Sequence, residues 1–541
     1  MKVKVKFKKN EGITLIALVV TIIVILILST ITINMLTGEN GIIKNTGKAK
    51  EATEIANEKE IVQRATVNAM GKNKYGDLKQ SELEKQLNEE QEGKTEVTDV
   101  GDEFEILFKE SNRYYTVDKD GNISEPQEIL KDNYPGDITK GGMLDGSEEK
   151  PYEIWCIEDL VAFSNMVNGN GMILENGKAI AINTSTDFST KTVELKTNLN
   201  FKSKYSYANS ERTDLGDING DENDGNTLIN EMTTGTGFNP IGNIELGSSF
   251  KGIFDGNGNN IDNIYISRET TSGLFGYVSG AKEIKNINIS GEIIATNGYA
   301  GGIIGLYNQG NSTEVTNIIN CTNKASITAN GGTTVYWSKN GVSGGIVGIT
   351  QVGITQKKLL IDNCSNLGNI SGEMVAGGIT GKEAYYIKNC FNAGTITSSG
   401  NTSTDSYAGG IVGGEYASII SIENCYNIGA ISAKKVAAGI IGGGTAGSVN
   451  IKNTYNNGNI KNATTKKVMV GNISSTITNG YYNSSLMDST IKIDNDLIDI
   501  SNKSVEEFIN LLNSYINDDE EEYPTDWKKW KLGEKGYPEI E

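Results

Sequence analysis

From residue 273 onward the chain repeats one short pattern seven times, and this repetition limits the fold more than any other feature. The series runs Gly273-Leu274-Phe275-Gly276, Gly301-Gly302-Ile303-Ile304-Gly305, Gly344-Gly345-Ile346-Val347-Gly348, Gly377-Gly378-Ile379-Thr380-Gly381, Gly409-Gly410-Ile411-Val412-Gly413 and Gly439-Ile440-Ile441-Gly442, with a worn copy near Gly471. The aligned glycines 273, 302, 345, 378, 410, 439 and 471 lie 29, 43, 33, 32, 29 and 32 residues apart. A second box follows each later copy as Asn320-Cys321, Asn363-Cys364, Asn389-Cys390, Asn424-Cys425 and Asn453-Thr454. A third element comes next, beginning at Asn323, Asn366, Asn392, Asn427 and Asn456. Three short strands per unit, parted by Gly and Asn turns, predict a parallel β-solenoid in which stacked rungs bury faces that no single rung could bury alone. About seven rungs spaced ~4.8 Å apart give a rod on the order of 34 Å long.

Composition agrees with that reading and narrows the chemistry. Glycine makes up 64 of 541 residues against only 6 prolines, which suits many tight turns in regular structure rather than a Pro-rich linker. There is no histidine, so His-based triads, HExxH sites and three-His zinc centres are excluded. The net charge of −19 means that the bulk of the chain repels nucleic acid and anionic membranes, so no nucleic-acid partner is expected.

The repeat boxes resemble the GLUG motif of bacterial surface proteins. The stretch 250–266 resembles that family's lead-in segment, and 151–168 its N-terminal capping region. The resemblance implies a solenoid architecture found in adhesins and as spacers in larger surface proteins.

The N-terminus carries a separate signal. Residues 1–12 hold five lysines and end on Gly12; residues 13–33 then run without a charge. At 1.5 Å per residue a helix of that length crosses a bilayer core, with the lysines held on the cytoplasmic side and the C-terminus outside. Gly12 followed by Ile13-Thr14-Leu15-Ile16 and an apolar helix resembles the type IV pilin and pseudopilin family. The resemblance implies a prepilin peptidase that cuts between Gly12 and Ile13, N-methylation of Ile13, and other pilin-like subunits as partners. The family places Glu at the fifth mature position; this chain has Ala17 there. The variant resembles Gram-positive examples.

The domain organisation expected from these signals is as follows. Residues 1–12 form a basic leader, 13–71 a transmembrane, pilin-like helix, and 72–130 a small α+β head. A solenoid cap and lead-in region covers 145–272, the repeats 273–485, and a C-terminal cap 486–541. A short helix is expected over 80–90, a hairpin turn at Asp120-Gly121, and a helix from 504 to 516 with Ser504 as its N-cap. Trp527, Trp530 and Tyr537 are expected to lie over the last rung. Asp118, Asp120 and Asn122 suit a hairpin turn better than a calcium loop, because no bidentate Glu follows at the required spacing.

Candidate sites are few. Tyr336 and Trp337 fall in an insertion, 331–343, beside a second one at 351–360, and are the candidate ligand-binding residues for a glycan or a protein. Asp217, Asn219, Asp221 and Asp224 form an alternating oxygen-rich loop and are the candidate Ca²⁺ ligands; no other metal or cofactor is expected. Four of the five cysteines share one phase of the repeat. They line up along the rod instead of converging, so a buried ladder of small apolar side chains accounts for them better than a metal cluster. The letters Gly442-x-Gly444-x-x-Gly447 lack the βαβ context of a dinucleotide site. Between 273 and 480 only Asp362 and Asp405 are aspartates and there is no arginine, so no catalytic residues are assigned. The sequence therefore reads as a membrane-anchored, pilin-like cell-surface protein presenting a solenoid for adhesion, as a minor or tip subunit of a filament. A structural envelope protein without a ligand is the alternative, and a β-helix polysaccharide-active enzyme a more distant one.

Overall fold

The computed structural model describes residues 42–72, 77–101, 103–111, 113–124, 127–128, 136–175, 178–202, 235–308, 315–331, 334–335, 338–339, 341–351, 359–383, 385–400, 406–414, 419–516 and 527–541. The chain divides into two compact units, 1–129 and 130–541.

In the first unit, helices Ile42–Gly71 and Gln80–Gln91 accompany an antiparallel sheet of Thr95–Asp99, Glu103–Phe108, Arg113–Asp118 and Gln127–Glu128. Ile61, Val62, Ala65 and Ala69 of the first helix recur at helical spacing and bury against Leu83, Leu87, Val97, Ile106 and Tyr115. Beside this core the Arg113 guanidinium forks onto Glu58, with Nε to Oε2 at 2.9 Å and Nη2 to Oε1 at 3.2 Å, and the Tyr115 hydroxyl donates to the same carboxylate at 2.9 Å. The Asp120-Gly121 turn forms as the sequence suggests. Asp118 Oδ1 accepts from the Asp120 and Asn122 amides, and Oδ2 from the Asn122 side chain, so both of its oxygens hold the turn.

The second unit is mainly β, built on long parallel ladders. Seven coils follow one another among the described residues, one for each member of the sheet Thr271–Ser272, Tyr299–Gly301, Val342–Gly344, Val375–Gly377, Tyr407–Gly409, Val436–Ala438 and Thr465–Lys467. A complete coil carries five short strands rather than the three expected. The fourth coil, for example, runs Leu359–Asp362, Ser365–Asn366, Ile370–Gly372, Val375–Gly377 and Thr380–Lys382. One of the two extra breaks comes from asparagine. Asn363 and its equivalents Asn286, Asn320, Asn389, Asn424 and Asn453 all adopt the left-handed conformation, which a single Asn tolerates where other side chains do not.

Register explains why these sequences stack. Val193, Phe254, Ile284, Ile318, Ile361, Ile387, Ile422, Ile451 and Ile477 lie directly above one another, as do Ile293, Ile327, Ile370, Ile396, Ile431 and Ile460. Each such side chain fully buried contributes roughly 1.5–3 kcal/mol of apolar transfer. A slip by one residue would expose the whole column. The glycine boxes mark places where neighbouring coils pass too close for a side chain. A Cβ on Gly345 would lie 2.1 Å from the Gly378 carbonyl oxygen and 2.7 Å from the Asn366 side chain.

The N-terminal end of the core is closed by helix Ile157–Asn168, whose Phe163 packs against Phe188, Phe250 and Phe254 at ring-centre distances of 5.1–5.8 Å. Helix Val505–Ser514 begins at the expected N-cap, with Ser504 and Glu507 forming a capping box. The aromatic C-terminal segment does not lie over the last rung. It runs back along the flank: Trp530 packs on Tyr426 and Tyr455, which stack on each other at 5.1 Å, while Trp527 reaches Glu423. The stacked rings of Tyr426 and Tyr455 give the Trp530 indole an apolar surface along the rod.

Candidate functional site

The residues the sequence singles out for processing, Gly12 and Ile13, lie outside the described residues, as do the apolar run 13–33, the oxygen-rich loop Asp217, Asn219, Asp221 and Asp224, and the aromatic pair Tyr336 and Trp337. Among the described residues no helix is long and apolar enough to cross a membrane. The surroundings of the aromatic pair are described. Thr334–Val335 and Ser338–Lys339 pair antiparallel, Thr334 with Lys339 and Val335 with Ser338, immediately on either side of it.

The two insertions of the third coil leave the rod from opposite rims of one flank. The first departs between Gly331, whose amide donates to Glu373 Oε2 at 2.8 Å, and Gly341, whose amide donates to the Gly298 carbonyl at 2.8 Å. The second departs after Gln351 and returns at Leu359. Between the rims lies a second apolar cluster, separate from the main core. Tyr299, Val342, Val375, Tyr407 and Val436 form one column, with Leu306 and Ile349 in the next, all of them buried. Ala300, Ala376, Ala408 and Ala437 alternate with the first column and face the core.

The opposite side of the rod is saturated with polar ladders. Asn323, Asn366, Asn392, Asn427 and Asn456 are buried and hand a hydrogen bond from coil to coil, each Nδ2 donating to the next Oδ1 at 2.7–2.8 Å. The same side chains close their own turns: Asn392 donates to the Gly394 carbonyl at 3.0 Å and accepts its amide at 3.2 Å. These residues stand two places after each Cys or Thr of the second box, a spacing visible in the sequence, although a single repeat shows only its turn and not the ladder. The cysteines form a further ladder. Cys321, Cys364 and Cys390 each donate a backbone N–H to the sulfur of the next coil's cysteine at 3.3–3.4 Å, and Cys425 donates to Thr454 Oγ1 at 3.3 Å. They are therefore hydrogen-bonding members and not merely small apolar fillers, which is why Thr454 can occupy the slot. All five cysteines are buried. Burial pushes the thiols of Cys321, Cys364 and Cys390 well above the ordinary range.

Two carboxylates of the coils are tied into packing. Asp362 accepts from Asn389 at 2.7 Å and pairs with Lys388 at 3.5 Å. Glu423 accepts from Tyr386 at 2.7 Å, Ser421 at 2.7 Å and the Trp527 indole at 3.1 Å. Burial, followed by the hydrogen bond to Glu423, holds the Tyr386 hydroxyl protonated far above its usual range. Asp405 lies outside the described residues. Among the described residues no three Cys, Asp or Glu side chains stand together as a metal site. The letters Gly442-x-Gly444-x-x-Gly447 lie inside a single strand, Ile441–Asn456.

No protein-family model and no curated protein matches the chain. A solved structure, a "putative immunoglobulin A1 protease" from Bacteroides ovatus, is similar at 20% identity and a TM-score of 0.39, over 75% of this chain and 98% of that one. A likeness that loose carries no argument about fold or activity.

Proposed function

We propose that this chain is a cell-surface binding protein. In this reading a pilin-like N-terminal helix, cut after Gly12 and methylated on Ile13, anchors the chain or assembles it with related subunits, and a GLUG-type solenoid presents a ligand-binding flank. The supporting observation is the asymmetry of the rod. One side carries asparagine, cysteine and aromatic ladders and is clamped by the C-terminal segment, while both insertions of the third coil leave beside the second, buried apolar cluster. Tyr336 and Trp337, at the centre of one insertion, supply flat amphipathic rings suited to stacking on sugar or gripping a protein. Asp362 and Glu423 are held by packing partners within the coils, which favours binding over catalysis.

Two measurements test this reading. Mass spectrometry of the native N-terminal peptide should begin at N-methyl-Ile13; an intact Met1 leader reduces the segment to a plain anchor. Tyr336→Ala together with Trp337→Ala should abolish cell or glycan binding while leaving the thermal transition of the solenoid unchanged; undiminished binding removes the aromatic insertion from the site.

A further inference from the structure

Charge is unevenly distributed along this rod. From Asn424 to Asp496 the chain has seven lysines against three aspartates, Asp488, Asp494 and Asp496, a local charge of +4 within a protein of −19. Register places most of that charge at one corner. Lys434 and Lys435 precede Val436 in the sixth coil; the amides of Thr464 and Thr465, one coil on, donate to their carbonyls. Lys461 pairs with Ser432, and Lys466 and Lys467 pair with Ala437 and Ala438. Lys492 forms the next layer: it bridges Lys467, and its amide donates to the Lys466 carbonyl at 3.0 Å. Lysines thus occupy three successive layers about 4.8 Å apart.

The lysines are not equally committed. Lys467 pairs with Asp494 at 3.2 Å, and the Lys435 ammonium lies over the Tyr407 ring at 5.3 Å, at the edge of the apolar flank. Lys434, Lys461 and Lys492 are exposed, and no carboxylate among the described residues is within ion-pairing distance of them. Between them stand short hydroxyl and amide side chains: Ser432, Asn462 and Thr464.

We infer that this corner is a binding site for a linear acidic polysaccharide. Ammonium groups repeated once per layer match a polymer that repeats its own charge, and the interleaved hydroxyls and amides offer partners to sugar hydroxyls. The patch contains no arginine, the residue suited to gripping phosphate bidentately, and no exposed aromatic ring on which a base could stack. The acidic remainder of the chain repels long duplexes and flat anionic surfaces, so a flexible strand crossing one end of the rod is the ligand that fits. The inference rests on the surface-binding reading above but uses a different site from Tyr336 and Trp337.

The test uses the purified full-length protein on surfaces of polygalacturonate, dextran sulfate and neutral dextran, with duplex DNA and phosphatidylglycerol vesicles as further arms. Binding to both acidic polysaccharides and not to neutral dextran is expected, weakening as salt rises. Lys434→Gln, Lys461→Gln and Lys492→Gln together should cost at least about tenfold in affinity and flatten the salt dependence. Arginine at the same three positions should retain binding, and Lys202→Gln with Lys282→Gln, towards the other end of the rod, should leave it unchanged. Absence of binding, equal binding by the glutamine variant, equal binding to neutral dextran, or tighter binding to DNA or vesicles would overturn the proposal. Loss of acidic-polysaccharide binding in the Tyr336→Ala, Trp337→Ala protein would also overturn it, while leaving the surface-binding reading intact.

Discussion

The two compact units hold themselves together in opposite ways. The N-terminal unit concentrates its polar stabilisation in one place, where Arg113, Glu58 and Tyr115 share a buried carboxylate at the edge of a small helix-on-sheet core. The solenoid distributes it: successive coils repeat isoleucine contacts along the core, and five of them share the asparagine ladder. The lesson is about tolerance. A centre fails at one substitution, whereas a ladder fails locally and in proportion to how many of its contacts are lost.

The sharpest way to break the contrast is Arg113→Ala. It leaves Glu58 buried and without its guanidinium, and should destabilise the N-terminal unit by roughly 3–5 kcal/mol. Denaturant unfolding followed by hydrogen exchange should show that loss while the solenoid transition stays in place. In the solenoid, Asn392→Ala removes two coil-to-coil hydrogen bonds and two turn contacts in the middle of the ladder. It should cost about 2–4 kcal/mol, because neighbouring amide groups are left buried and unpaired. Asn456→Ala, the last member of the ladder, should cost about half as much. Equal costs at the two positions would mean that the ladder is not cooperative.

The thiols add a pH dependence to the same comparison. Their folded pKa values are raised, so the stability they contribute is present below the unfolded thiol pKa, about 8.5, and is lost as pH rises beyond it. The melting temperature of the solenoid should therefore fall between pH 8 and 10, and replacing Cys321, Cys364 and Cys390 with Ala should flatten that fall. The smallest expected effect is at the C-terminal helix. Ser504→Ala removes the capping box and should cost about 1 kcal/mol, loosening the flank clamp while the coils remain intact. Hydrogen exchange confined to 504–541 would register it.

Much of this architecture was legible in the sequence. The glycine boxes marked the coils because close approach excludes a side chain at Gly345 and its equivalents, and Ser504 announced its helix through cap chemistry alone. What escaped were contacts that depend on stacking. Asn323 and its equivalents read as turn residues, because a single repeat shows only the local turn and not the amide one coil away. The sequence points the C-terminal indoles at the last rung, whereas Lys528 donates to Asn389, 139 residues earlier, and Trp530 to Asn424. No local pattern records a partner that distant. The candidate site was legible only as an interruption of the repeat: the 43-residue spacing located both insertions, and the structure added that they share one flank.

The most direct test of the account is adherence by cells displaying the full-length chain, compared with cells displaying the Tyr336→Ala, Trp337→Ala protein at equal surface density. The account predicts that the aromatic pair carries adherence and that its removal returns cells to the level of those lacking the protein. Undiminished adherence in the variant, or none in the wild type, would contradict a binding flank on this rod and favour a purely structural one.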